Sequence, residues 1–124
     1  MMNAKELDDF LLSLPESELD FPFGKEVAVY KVVGKMFALV SHELDRKDKA
    51  LSLNLKGLPA DNMLLSEEFE SIRPGYHMNK KHWITVVVSE EIGEGMLKDL
   101  IERSYDLVVK KLKKADRERI AISR

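Results

Sequence analysis

The 124-residue chain has 44% hydrophobic and 34% charged residues, too apolar for disorder and the length of one domain, taken as 1–124. It contains no cysteine, which excludes disulfides and thiolate metal sites and suits a reducing compartment. Its net charge of -2 argues against a protein that coats nucleic acid with its whole surface. The charge is uneven, however: residues 1–26 hold two basic residues against seven acids, and residues 98–124 hold nine against five.

Asn3 followed by Glu6 predicts a capped helix start, and Leu7, Phe10, Leu11 and Leu14 then recur at helical spacing. Pro15 ends that helix. The stretch to Gly24 is expected to be an irregular acidic connector with Phe21 and Phe23 buried. Met1 to Asp9 lacks a basic stretch followed by an apolar run, so a secretory signal is not expected. With no bilayer-length apolar segment either, no membrane association is expected and the expected location is the cytoplasm.

Glu26–Val33 is dense in β-branched and aromatic residues and predicts a strand. Gly34-Lys35 suits a hairpin turn, and Met36–Ser41 suits the returning strand. The charged run Glu43–Lys49 is expected as a solvated loop. Leu51, Leu53 and Leu55 alternate with Ser52, Asn54 and Lys56, the pattern of a strand with one face in the core and one in water. These three strands are expected to form an antiparallel meander.

Pro59 fits the first turn of a second helix running through Met63, Leu64, Leu65 and Phe69. Arg73-Pro74-Gly75 breaks it. Trp83–Ser89 is the clearest strand, and Gly93 and Gly95 precede a long helix striped by Leu97, Leu100, Ile101, Tyr105, Val108 and Leu112. Lys110, Lys111, Lys113 and Lys114 are expected in its last turns, where cations complement the dipole. The order α-β-β-β-α-β-α predicts a two-layer α+β domain, an antiparallel sheet with helices on one side.

Chemistry concentrates in one segment. Arg73–Trp83, RPGYHMNKKHW, carries two of the three histidines, a tyrosine and the single tryptophan. Such polar-aromatic density on a loop suits a binding surface. The same residues also suit a turn whose rings cover a sheet edge and whose lysines are merely solvated. His77 and His82 are five apart with no close third ligand, so no metal site is expected. There is no nucleophile elbow and no phosphate-binding glycine loop, and the expectation is a protein without catalytic residues or cofactor. Arg73, Lys80 and Lys81 suit phosphate contacts, with Tyr76 or Trp83 as a stacking face and Lys110–Arg119 as a second basic cluster.

The run R-P-G-Y-H-M-N-K-K-H-W followed by Thr85-Val86 resembles the signature of the MmcQ/YjbR family of small bacterial proteins. Phe21-Pro22-Phe23-Gly24, the Val27–Val33 strand, Gly34-Lys35-Met36-Phe37-Ala38, and Ser104-Tyr105 with Leu107-Val108 extend the resemblance over most of the chain. It implies a secretion-chaperone-like α+β fold and a DNA-binding role, non-catalytic, through a double-wing arrangement. The residues it carries over are Arg73, His77, Asn79, Lys80, Lys81, His82 and Trp83. The expected partner is duplex DNA held weakly by a monomer. A protein or peptide partner on the same loop and sheet face is the alternative, as is a small-anion pocket near His77, His82 and Arg73.

Overall fold

The computed structural model describes residues 1–42, 50–75 and 78–124. Among these, the elements run α1 (Ala4–Ser13), β1 (Ser17–Asp20), β2 (Ala28–Val32), β3 (Lys35–His42), β4 (Leu51–Lys56), α2 (Pro59–Glu68), β5 (Ile72–Pro74), β6 (Trp83–Val87), α3 (Glu94–Val109) and α4 (Lys114–Ser123). The strands form one antiparallel sheet in the order β1-β2-β3-β4-β6-β5. The expected α+β order is present, with β1, β5 and α4 added. The charged run at 43–49 lies outside the described residues.

Helix α1 starts on the expected box: Asn3 Oδ1 accepts the Glu6 N–H at 2.8 Å, and Glu6 Oε1 accepts the Asn3 N–H at 3.1 Å. The connector after Pro15 is not irregular throughout. Ser17–Asp20 pairs with β2 as an edge strand, Ser17 opposite Val32 and Asp20 opposite Val29. Phe21 and Phe23 are 48% and 64% exposed, not buried. The chain leaves the sheet at Asp20 and turns twice, with Gly24 N–H on Phe21 O and Val27 N–H on Gly24 O, and both rings lie on the outside of those turns.

The β2–β3 hairpin turns one residue earlier than the glycine suggests. Val33 (φ 48°) and Gly34 (φ 75°) are its two central residues, both in the left-handed region that a two-residue hairpin of this hand requires. For a β-branched residue that backbone is strained.

All four helices contribute to one core on one face of the sheet. Leu7 and Leu11 from α1, Leu65 and Phe69 at α2, Leu97, Ile101, Tyr105 and Val108 from α3, and Ile120 from α4 join Tyr30, Phe37, Leu53, Leu55, Ile84 and Val86. The Tyr105 ring meets Phe37 edge-on at 5.2 Å, and its hydroxyl donates to Pro15 O at 2.6 Å. Ser104, fully buried on α3, is more than a small packing residue. Its Oγ accepts the Lys56 N–H at 2.8 Å and donates to Phe37 O at 2.5 Å, tying α3 to the ends of β3 and β4.

The opposite face is not in water as the leucine alternation suggests. Val29, Leu39 and Trp83 form a second cluster there with Val27, Met36 and Met78, and Ser52 and Thr85 are buried as well. The lysine run is also placed differently. Helix α3 ends at Val109, and Lys113 and Lys114 open α4 instead of closing α3, because the chain turns through 110–113 with Lys111 N–H on Val108 O and Leu112 N–H on Val109 O.

Candidate functional site

The segment singled out by sequence is the β5–β6 connection together with the strand residues that flank it. Gly75 N–H donates to Trp83 O at 3.0 Å, and a Cβ on Gly75 would lie only 3.1 Å from the Trp83 Cβ, so the close pairing favours glycine. Asn79 shapes the crest. Its carbonyl accepts the His82 and Trp83 N–H groups at 3.1 and 2.9 Å, and its Oδ1 accepts the Lys81 N–H at 3.0 Å. Lys80 and Lys81 stand exposed on this tight turn, followed by exposed His82. Tyr76 and His77 lie outside the described residues.

A buried polar pin fastens the crest to the helices. Asn62 on α2, 5% exposed, donates through Nδ2 to Lys81 O at 3.2 Å and to Gly57 O at 3.1 Å. Its Oδ1 accepts Arg103 Nη2 from α3 at 3.1 Å, and Gly57 N–H donates to His82 O at 3.0 Å. A side chain at Gly57 would collide with both the Arg103 guanidinium and the Asn62 amide oxygen. Burial holds the Arg103 pKa below its ordinary value, against the opposing pull of Asp61. A buried amide with its oxygen and both amide protons engaged is rigidifying. The lysine turn is therefore held in place, not tethered as a loose arm.

The remaining sequence candidates do not all converge on the crest. Arg73 lies in β5 opposite Thr85, and it lines a groove of about 740 Å³ shared with Glu70, Glu90 and Glu91. That groove lies at the Val87–Glu91 end of the sheet, away from Lys80 and Lys81, and His82 is not in its wall. Trp83 is 6% exposed, so its ring is not open as a stacking face. Among the described residues, no three histidine or carboxylate side chains come together as a metal cluster.

Two residues missed by sequence reasoning complete the basic rim: Lys35, which opens β3, and Lys56, which closes β4. Antiparallel pairing brings the start of β3, the end of β4 and the start of β6 to one end of the sheet, with Lys56 opposite Trp83. The Lys56 ammonium stands 5.5 Å from the Trp83 ring centroid. Partial burial pulls its pKa below the ordinary lysine value, and the like charges of Lys111 and Lys35 pull it further. Lone lysines at strand ends carry no sequence signal; only the strand register reveals the grouping.

The second basic cluster is divided. Lys111 lies close enough to Lys56 for its like charge to act on it, whereas Lys114 pairs with Glu118 at 3.9 Å. Arg119 grips Glu16 through Nε and Nη2 at 2.6 and 2.8 Å and Asp116 through Nη1 at 2.8 Å. The Arg119–Glu16 pair joins the basic carboxyl-terminal helix to the acidic amino-terminal segment. No described helix is long and apolar enough to cross a membrane.

A family model described as YjbR matches residues 12–107, from α1 to near the end of α3. The chain is 49% identical to the uncharacterised protein YbdF of Escherichia coli O157:H7 over 109 residues, covering 88% of this chain and 86% of that one. It is 26% identical to the uncharacterised protein YjbR of Escherichia coli K12, covering 94% and 96% of the two chains. Among solved structures, a Deinococcus radiodurans protein with a DUF419 domain superposes with a TM-score of 0.84 at 37% identity, covering 98% of this chain and 89% of that chain. A Pseudomonas syringae protein superposes with a TM-score of 0.74 at 28% identity, covering 86% and 98%.

Proposed function

The chain belongs to the YjbR family, and we propose that it is a non-catalytic nucleic-acid-binding protein that grips the phosphates of duplex DNA from its lysine rim. The observation that carries this reading is the strand register that brings the end of β4, with Lys56, beside the start of β6 that follows the Lys80-Lys81 turn, where Lys35 and Lys111 add like charge. Gathering cations raises the energy of the free protein, and a polyanion relieves it. The contacts come from the turn expected in sequence, extended by the ends of β3 and β4, while Arg73 stands apart.

Because the net charge is -2, the protein as a whole does not attract a polyanion, and affinity from a local rim is modest and strongly salt-dependent. Fluorescence anisotropy with a labelled duplex at low salt tests the reading. Binding that weakens when Lys80→Ala and Lys81→Ala are combined supports it. No binding at low salt, or a double variant that binds unchanged, removes it.

A further inference from the structure

We infer that the rim formed by Lys35, Lys56, Lys81 and Lys111 is a seat for phosphate polyanions that reads charge and not base sequence. The partner class rests on the nucleic-acid reading above, whereas the seat itself rests on its own geometry.

Reading bases takes side chains that offer a fork of donors and acceptors to base edges, or an open aromatic face. Around the rim, most described groups of that kind are committed inside the molecule; the exposed His82 ring and the Asn79 amide N–H groups are left, and neither offers a paired donor and acceptor fork. The Asn79 side-chain oxygen is bound to the Lys81 N–H. Asn62 is spent on Gly57, Lys81 and Arg103, and Asn54 Oδ1 accepts the Thr85 hydroxyl at 2.8 Å. Arg103, the residue best suited to a guanine edge, holds Asn62 from a half-buried position. Trp83 lies beneath Lys56.

What faces outward in number is ammonium. Lys35, Lys56, Lys81 and Lys111 form no ion pair among the described residues. An ammonium is a point charge with rotatable donors, which suits phosphate oxygens of any spacing and discriminates poorly among bases. Because Lys56 is repelled by two neighbours, a multivalent anion bridging them is favoured over separate monovalent ions.

The test measures binding of two duplexes of equal length and unrelated sequence, and their displacement by inorganic polyphosphate. The two duplexes should bind within about twofold of each other, and polyphosphate should displace both. Four lysine–phosphate contacts predict a slope of log K against log salt of about -3.6. Lys56→Gln should flatten that slope by about 1, and Lys35→Gln and Lys111→Gln provide the same readout should Lys56→Gln fail to fold. A preference of tenfold or more for one duplex, or failure of polyphosphate to compete, overturns the charge-only seat and leaves the nucleic-acid reading standing. Polyphosphate binding without duplex binding keeps the seat and removes DNA as partner. If neither binds, both fall.

Discussion

The Lys56 ammonium lies 5.5 Å from the centroid of the Trp83 ring, and Trp83 is the only tryptophan in the chain. The indole is thus a built-in reporter on the rim. An anion that draws the ammonium outward changes the field at the ring, while a cation–π contact at such a site is worth only about 0.5–1 kcal/mol and yields readily. Titration with duplex DNA or polyphosphate should change Trp83 emission, and Lys56→Gln should remove the response. An unchanged emission spectrum at saturating ligand would show that the rim is not where the anion sits.

Binding should also depend on pH in a defined direction. Burial first, then Lys111 and Lys35, hold the Lys56 pKa below the ordinary lysine value. The cationic form is the one that binds anions, so Lys56 drops out of the seat at a lower pH than an isolated exposed lysine would. Affinity should fall as pH rises toward the usual lysine range, beginning below it. Lys56→Arg should retain binding over that interval, because a guanidinium stays protonated. Parallel pH profiles for the two proteins would contradict this assignment.

Much of the fold can be read in the sequence because each main element carries its own periodicity. The leucines of β4, the aliphatic run of β6 and the stripe on α3 suffice to give an antiparallel sheet with helices on one side. Strand β1 is hidden because an edge strand of four residues, the last three of them exposed, shows no alternation of buried and exposed positions. The second buried face is hidden for another reason. Ser52 and Thr85 are polar, and only strand register puts them on the same sheet face as Val29 and Leu39. The lysine turn is legible as composition, whereas Lys35 and Lys56 become neighbours only once three strand ends are aligned.

Ser104 illustrates a polar group whose value a sequence cannot display. Replacing it with alanine leaves the Lys56 N–H and the Phe37 carbonyl without their shared partner in a closed core. The expected cost is about 1–3 kcal/mol, the penalty of orphaned buried groups. Urea denaturation should show a lower midpoint with unchanged slope. A variant as stable as the parent would mean that the two backbone groups find other partners.

Val33 offers the opposite effect. Its φ of 48° is unfavourable for a β-branched residue, and its side chain is 39% exposed, so little packing depends on it. Asparagine tolerates that backbone, and Asn-Gly is the preferred pair for this turn. Val33→Asn should raise stability by about 1 kcal/mol, read as a higher denaturation midpoint. No gain, or a loss, would mean that the Val33 side chain has contacts worth more than the strain.

Arg119 and Glu16 set the acid response of α4. The hydrogen bonds from Arg119 hold the Glu16 carboxyl below its ordinary value of 4.5, so protonation is easier in the unfolded chain than in the folded one. The sign follows directly: the clamp contributes fully above the unfolded value and is lost as pH falls through the lower, folded value. Ile120 packs into the core through an aliphatic side chain that does not titrate, so the expected result is loosening of α4 and not global unfolding. Backbone chemical shifts of 114–123 should move toward coil values as pH drops below about 4, with the sheet resonances steady. Arg119→Ala should give the same shifts at neutral pH. If α4 stays fully helical in both cases, packing around Ile120 and not the clamp holds the helix.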